Sequence, residues 1–291
     1  MLLLIGAVIV LGSVAGGYVM HGGHLLVLNQ PSEFLVIGGA AIGSLIISTP
    51  LPVIKRLLKH LGWFFKGPAG RQDYLDLLAM QYQLYRLAQQ SGVMALEAHC
   101  DDPANSSVFS KYPRFLVRGT AVRFLTDSIK VIILGGVSAH DLEALMDEDL
   151  EVHEQDEMRP ASTLARVSDA LPGLGIVAAV LGVVITMQAI DGPPAEIGHK
   201  VAAALVGTFL GILLCYGLVG PMATNLEQRV EEESRYLICI KAGLLALYKG
   251  CAPAIAVEFA RRTIPGEVRP AFDETEEYCR ATRSEATAEA A

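Results

Sequence analysis

The sequence predicts an all-α polytopic membrane protein, with four transmembrane helices in two hairpins and a mostly helical cytoplasmic domain. Its 291 residues are 52% hydrophobic and 19% charged, with a mean hydropathy of +0.41, which is too apolar for a soluble protein. Four uncharged runs each have about the 20 residues that a helix needs to cross the hydrocarbon core. Elsewhere no long segment alternates with period two, so helices are expected there as well.

Short outer connections join the predicted spans in pairs. His21–Glu33 and Asp191–Lys200 are too short to form domains, and Gly-Pro-Pro in the second marks a turn. The predicted spans are Leu2–Met20, Phe34–Ile54, Leu171–Ile190 and Val201–Met222. The chain then divides into spans at 1–54, a cytoplasmic domain at 55–168, spans at 169–222, and C-terminal helices with a tail at 223–291. Cytoplasmic helices are expected near 72–99, 113–134, 139–159 and 226–248.

The positive charges predict the orientation. Of the 23 Lys and Arg residues, 22 lie in 55–166 or after 223, and only Lys200 lies in an outer connection. Because cytoplasmic loops carry the excess of Lys and Arg, both termini and the long loop are expected on the cytoplasmic side. No basic residue precedes the first span, so we interpret it as a retained helix and not as a signal peptide. The basic run that begins at Lys55 suits a surface of anionic lipid.

The patterns of enzymes and of metal or nucleic-acid sites are missing from the sequence. There is no phosphate-binding glycine loop, no zinc-protease motif and no nucleophile elbow. The five cysteines form no CxxC pair, so neither a disulfide framework nor a zinc site is expected. With a net charge of −8 and no basic cluster interleaved with aromatics, nucleic-acid binding is not expected either. We therefore predict no enzyme activity and no cofactor.

The predicted spans carry no ionisable residue near their centres. Asp169, Asp191 and Glu196 lie only at the ends of the third and fourth spans. Ionisable groups inside a membrane usually mark ion routes. If the protein moves ions, the sequence therefore predicts that a partner supplies the titrating carboxylate.

Small residues recur at four-residue spacing in every predicted span. Such pairs let helix backbones approach closely in lipid, where packing replaces the ordinary hydrophobic drive. They indicate helices that assemble with other helices. The pairs are Gly12 and Gly16, Gly39 and Gly43, Ala178 and Gly182, and Gly207 and Gly211.

Pro172 leaves two interpretations open. In the first turn of a helix, a proline removes an N–H group that has no intrahelical partner anyway. Alternatively, the same proline loosens the inner mouth of the third span, so that it can bend or admit water.

Two long motifs resemble one family. LPGLGIVAAVLGVV at 171–184 and VGTFLGILLCYGLVGP at 206–221 are similar to the third and fourth spans of the MotA family of flagellar stator subunits. LMDEDLEVHE at 145–154 and PAIAVEF at 253–259 resemble that family too. The resemblance implies a bacterial inner-membrane protein that forms a pentamer around two copies of a single-span partner, MotB. A MotB aspartate would then take up and release the proton that drives rotation.

The resemblance also implies which residues act in the spans. Pro172 and Pro221 match the two functional prolines of the family, and Thr208 and Ala179 match positions that line the ion site. The resemblance also implies that sodium-driven relatives carry threonine at the position of Ala179. Because an alanine side chain cannot coordinate a hard cation, protons are the expected driving ion.

In the cytoplasmic loop, the resemblance implies a contact with the rotor protein FliG near the end of the first long helix. Glu97 matches the glutamate of that contact, whereas Gln89 stands where the family has arginine. Arg86 lies one helical turn earlier on nearly the same face and could supply the charge, or could be an ordinary solvated residue.

Two other functions remain open on the sequence alone. An energiser of envelope transport of the ExbB or TolQ kind has similar paired spans, although it typically has three of them. A membrane scaffold that conducts nothing would also fit the helix-packing pattern. The predicted function is a stator subunit that, with MotB, converts ion motive force into torque on the rotor.

Overall fold

The computed structural model describes residues 2–65, 67–188 and 190–288. Throughout these ranges the regular structure is helical, so the predicted all-α fold class is confirmed. The chain separates into two compact units, one of Met1–Lys66 with Glu157–Arg229 and the other of Gly67–Asp156 with Val230–Ala291. Positions 289–291 of the predicted tail lie outside the described residues.

Thirteen α-helices follow one another along the described chain, and a π-helical segment, Leu213–Val219, joins the tenth to the eleventh. They are α1 (Leu2–Met20), α2 (Leu25–Leu28), α3 (Pro31–Ser48), α4 (Leu51–Leu61), α5 (Arg71–Ser91), α6 (Glu97–Asp101), α7 (Pro113–Leu116), α8 (Gly119–Leu134), α9 (Ala139–Met187), α10 (Pro194–Ile212), α11 (Gly220–Tyr248), α12 (Pro253–Thr263) and α13 (Phe272–Ala288).

Within the described residues, four helical segments are long and apolar enough to cross a membrane, as predicted. The second lies earlier than 34–54, because α3 begins at Pro31 and ends at Ser48. Proline suits the first position of a helix, which explains the start. Thr49 is extended, with φ −129° and ψ 127°, because a residue that precedes a proline is forced out of the helical region. The structure thus separates α3 from α4.

The long helix α9 joins two predicted helices into one. The expected helix over 139–159 continues without interruption through 171 to Met187, a length of 49 residues. Pro160 and Pro172 both lie inside it. A helix can pass through a proline with a bend when packing on either side holds it.

The second unit has a core of large side chains. Its buried residues come mostly from α5, α8, α9, α11 and α12, with others in α6, α7, α13 and the short turns beside them. Each buried Leu or Phe contributes about 1.5–3 kcal/mol to stability. The N–H of Gly70 donates to Asp73 Oδ2 at 2.7 Å and starts α5, whereas Gly92, with φ 83°, ends it. The largest fully buried side chains here are those of Tyr74, Tyr85, Tyr236, Phe109 and Phe115.

Candidate functional site

In the first unit, α9 and α10 touch through their backbones. A Cβ atom on Gly175 would lie 2.8 Å from the carbonyl oxygen of Gly207, and one on Gly211 would lie 2.6 Å from that of Leu171. Backbone atoms cannot yield as a flexible side chain can, so only glycine fits at these positions. The spacing of Gly207 and Gly211 predicted close packing of this kind, and the structure confirms it. We call this region the glycine crossing.

Two of the residues assigned to the ion site lie at the glycine crossing. The backbone N of Ala179 is 3.3 Å from where a Cβ on Gly207 would be. The Cα of Thr208 is 3.3 Å from where a Cβ on Gly175 would be. Both side chains are half-buried. The crossing therefore brings an alanine of α9 and a threonine of α10 to the same level of the bundle.

Pro172 lies on α9 just below the crossing, next to Leu171. It is inside a continuous helix, so the interpretation that places it in a first turn is wrong. Because proline has no N–H, the carbonyl of Ser168 loses the helical partner it would have at the fourth following residue. The second interpretation, in which Pro172 loosens the helix locally, fits this position.

The π-helical segment after α10 faces this weakened turn. The hydroxyl of Ser168 donates to the carbonyl oxygen of Cys215 at 3.1 Å and lies 3.5 Å from its Sγ. Both groups are buried. The bond joins the proline-weakened turn of α9 to the irregular turn that follows α10. π-helical turns occur mostly as local insertions and are frequent at functional sites.

Neither Ser168 nor the π-helical segment was predicted from the sequence. The run LLCYGLV at 213–219 is as apolar as the α-helix before it, and nothing in it indicates a change of hydrogen-bond register. Pro221 comes directly after this segment, in the first turn of α11, where it is exposed. The prolines assigned to function thus lie at two irregular stretches, one inside α9 and one next to the π-helical segment.

Glu33 is a buried ionisable residue that lies just outside the predicted second span. The predicted second span began at Phe34, but the helix begins at Pro31, so that Glu33 lies in its first turn. Glu33 is only 7% exposed, and its Oε2 atom has no hydrogen-bond partner. A Cβ on Gly207 would collide with this atom. A carboxylate of this chain itself therefore reaches the glycine crossing.

The helix α4 carries the basic run. Lys55 and Lys59 lie one turn apart and are exposed. His60 is buried, stacked on Trp63 with ring centroids 4.0 Å apart, and its Nε2 lies 2.7 Å from Glu157 Oε2. These contacts fix one side of α4 within the first unit and leave the lysines facing outward.

In the second unit, the residues assigned to the rotor contact lie close in sequence but not on one helix. Arg86 is half-buried and Gln89 exposed in the last turns of α5. The expectation that this helix reaches Glu97 is wrong, because Gly92 ends it and Glu97 is the first residue of α6. Between them a short 3-10 turn leaves Met94 59% exposed.

Two family descriptions match the chain. "Motility protein A N-terminal" matches residues 4–92, and "MotA/TolQ/ExbB proton channel family" matches residues 118–237. Motility protein A of Salmonella typhimurium is 45% identical over 98% of this chain and 97% of its own length. The chain belongs to the MotA/TolQ/ExbB proton channel family. Motility protein A of Escherichia coli K12 matches equally, at 45% identity over 98% of this chain and 97% of its own.

Solved structures agree with this assignment. The fold is similar to "Structure of C. jejuni MotAB", with a TM-score of 0.76 and 20% identity over 91% of this chain and 96% of that chain. It is also similar to "Structure of the flagellar MotAB stator complex from Bacillus subtilis", with a TM-score of 0.71 and 25% identity over 91% and 96%. These relatives bear the names of motility proteins and not of enzymes or transport energisers. The protein is a multi-pass membrane protein and a flagellar stator subunit.

Proposed function

We propose that this chain forms, with a MotB-type partner, a proton-conducting stator unit in the bacterial inner membrane that turns the flagellar rotor. The observation that carries the mechanism is the pairing of two helix irregularities directly below the glycine crossing. Pro172 weakens one turn of α9, and Ser168 holds that turn to Cys215 in the π-helical segment. Such a site can change its packing without breaking either helix as a whole.

In this mechanism the partner's carboxylate binds a proton beside Ala179 and Thr208 and releases it towards Pro172. Neutralising a carboxylate in an apolar bundle changes which packing of the surrounding helices is favourable. One proton that crosses 100 mV provides about 2.3 kcal/mol, enough to bias a step between two arrangements. The side chain of Ala179 offers no oxygen to a metal cation, which supports protons as the driving ion. Rotation speed is then expected to follow the proton motive force and to be insensitive to external sodium.

Assembly into a pentamer around two partner chains is supported by glycines that pack against no other part of this chain. Added Cβ atoms on Gly12 and Gly16 of α1, or on Gly39 and Gly43 of α3, would meet nothing within 4 Å. These four positions keep two helix faces smooth. Smooth faces on separate helices suit backbone packing against other chains.

The rotor contact is proposed at the end of α5 and the start of α6. Arg86, Gln89 and Glu97 provide polar groups, and Met94 adds an exposed apolar side chain between them. Exposed ion pairs contribute little individually, which suits a contact with FliG that forms and breaks at every step. The concentration of Lys and Arg in these segments supports a cytoplasmic location for this surface and for both termini. Exposed Lys55 and Lys59 would meet anionic lipid headgroups.

Replacing Pro172 tests this function. Pro172→Ala restores an N–H that can donate to the carbonyl oxygen of Ser168, and Pro172→Leu also adds a larger side chain. Both variants are expected to abolish swimming in a strain that lacks its own stator subunit of this kind, while flagella still assemble. Pro160→Ala is the matched control, because Pro160 lies in the same helix and away from the crossing. It should swim normally. Normal motility of both Pro172 variants would refute the site.

A further inference from the structure

Glu33 is a buried carboxyl group to which no role has been given so far. It lies in the first turn of α3 and is 93% buried, because its exposed fraction is 7%. Its Oε2 has no hydrogen-bond partner and is directed at Gly207 of α10. The same glycine contacts α9 at Ala178 and Ala179, so this oxygen ends where three helices meet.

No charged side chain compensates Glu33 from the helices packed around it. α3 has no other ionisable residue, and α9 has none from 170 to 187. On α10 the ionisable residues are Glu196, His199 and Lys200, and Lys200 is already paired with Glu196 at 3.0 Å. α2 has none, although His24 precedes it. An unpaired carboxylate in such surroundings is unfavourable, and binding a proton removes the penalty.

An open surface cavity, lined by both polar and apolar side chains, reaches to within one helical turn of Glu33. It measures about 450 Å³, and the polar side chains that line it are Gln30, Glu196, His199 and Lys200. Gln30 lies three residues before Glu33, and Ala203, also in the lining, lies four residues before Gly207. On both helices the cavity therefore ends one turn from the carboxyl group. Its residues belong to the ends of α2 and α10 that the charge pattern predicts to face the outside.

We propose that Glu33 is a proton-binding site of this chain that connects the outer cavity to the glycine crossing. As a carboxylate, Glu33 accepts a proton from water in the cavity and becomes a carboxylic acid. It then passes that proton to the partner's carboxylate beside Ala179 and Thr208 and becomes a carboxylate again. This inference rests on the proposed function and adds to it a titrating group that the chain supplies itself.

Glu33→Gln keeps the shape of the side chain and removes its proton binding. We expect the speed of single motors at low load to fall about tenfold. That is less than the 10²–10⁴ typical of a lost proton-transfer group, because water can still deliver protons slowly. The loss should grow as external pH rises, whereas torque near stall stays normal because the energy per proton is unchanged. Glu33→Asp retains the acid and should give intermediate speeds.

Ser32→Ala is the matched control, since Ser32 is the exposed neighbour of Glu33. It should leave speed unchanged at every pH. Counting fluorescently labelled stators in each motor separates slow proton transfer from poor assembly. If the unaltered chain with its partner fails to drive rotation, the proposed function is wrong. If that chain drives rotation and Glu33→Gln matches it at all external pH values, the role of Glu33 is wrong.

A spectroscopic test does not depend on rotation. Infrared difference spectra of the purified complex, recorded between high and low pH, should contain a protonated-carboxyl band that disappears in Glu33→Gln. Loss of that band would support the proposal even if the variant turns no motor. An unchanged spectrum in Glu33→Gln would show that Glu33 does not titrate and would overturn it.

Discussion

The two units of the molecule differ in the residues that pack inside each of them. The second unit buries large side chains, such as Tyr74, Phe109 and Tyr236, in a continuous core. The first unit instead brings glycines into contact, buries only small clusters of large apolar side chains and turns many others outward, so that Ile176 and Val180 of α9 are more than half exposed. Water drives apolar side chains into the first kind of core. In lipid that drive is absent, and close backbone contact takes its place.

The largest expected difference in stability between the two units comes from shortening a leucine in each of them. Leu78→Ala removes a fully buried side chain from the core of the second unit and is expected to lower the free energy of unfolding by about 2–5 kcal/mol. Leu181→Ala, the same change on α9, removes a side chain that is 48% exposed and should have little effect. Thermal unfolding of the purified complex measures both. Equal losses would show that the first unit also depends on a core of large side chains.

Replacing a glycine with alanine should instead destabilise the first unit, by a somewhat smaller amount. Gly211→Ala would place a Cβ against the carbonyl oxygen of Leu171, so we expect a loss of about 1–3 kcal/mol, as for an overpacked core. Gly43→Ala on α3 meets nothing within 4 Å and should leave the stability of the chain unchanged. Unfolding of the detergent-solubilised chain measures both. A neutral Gly211→Ala would mean that the crossing is not closely packed.

The smallest expected effect concerns ion pairs, which stabilise the second unit and are not found among the described residues of the glycine crossing. Glu258 bonds to Arg261 at 2.6 Å and to Arg262 at 2.8 Å, and its hydrogen bond with Arg261 is the main reason that its pKa lies below the ordinary 4.5. A lowered pKa stabilises the fold above the unfolded-state value, and this contribution disappears as pH falls through the folded-state value.

Glu258→Gln should therefore cost up to about 1 kcal/mol at neutral pH, the upper end for such ion pairs. Its difference from the unaltered chain should shrink as pH falls below 4.5. Glu276→Gln removes a more exposed pair with Arg280 and should cost less. Chemical unfolding at several pH values measures these differences. If the difference in unfolding free energy between Glu258→Gln and the unaltered chain stayed constant below pH 4.5, the stabilising role of these ion pairs would be contradicted.

Much of the architecture was predictable because it depends on hydropathy. The number of spans follows from the lengths of the uncharged runs, and the packing at Gly207 and Gly211 follows from their spacing. The start of α3 was misplaced because hydropathy puts the boundary at the charge of Glu33, whereas Pro31 sets the start of the helix. A buried carboxyl group was missed for this reason.

The candidate site was predictable only in part. The placement of Ala179 beside Thr208 depends on which residues of two helices lie at the same level, and this depends on the tertiary packing of α9 against α10. The bond from Ser168 to Cys215 requires the π-helical segment, for which an apolar run gives no local signal. The break between Gln89 and Glu97 did have a signal in the sequence, because glycine at position 92 commonly ends a helix, and here it does so with a positive φ of 83°.

The π-helical segment has a consequence for how the chain tolerates changes of length. A π turn contains one residue more than an α turn, and it is in effect an insertion that the helix has absorbed. Deleting one residue between Leu213 and Val219 would let this stretch return to ordinary α geometry. The side chains of α10 and α11, before and after the segment, would then keep their present orientations. The same deletion inside α10 would rotate every residue beyond it by about 100°, one step of a helix with 3.6 residues per turn.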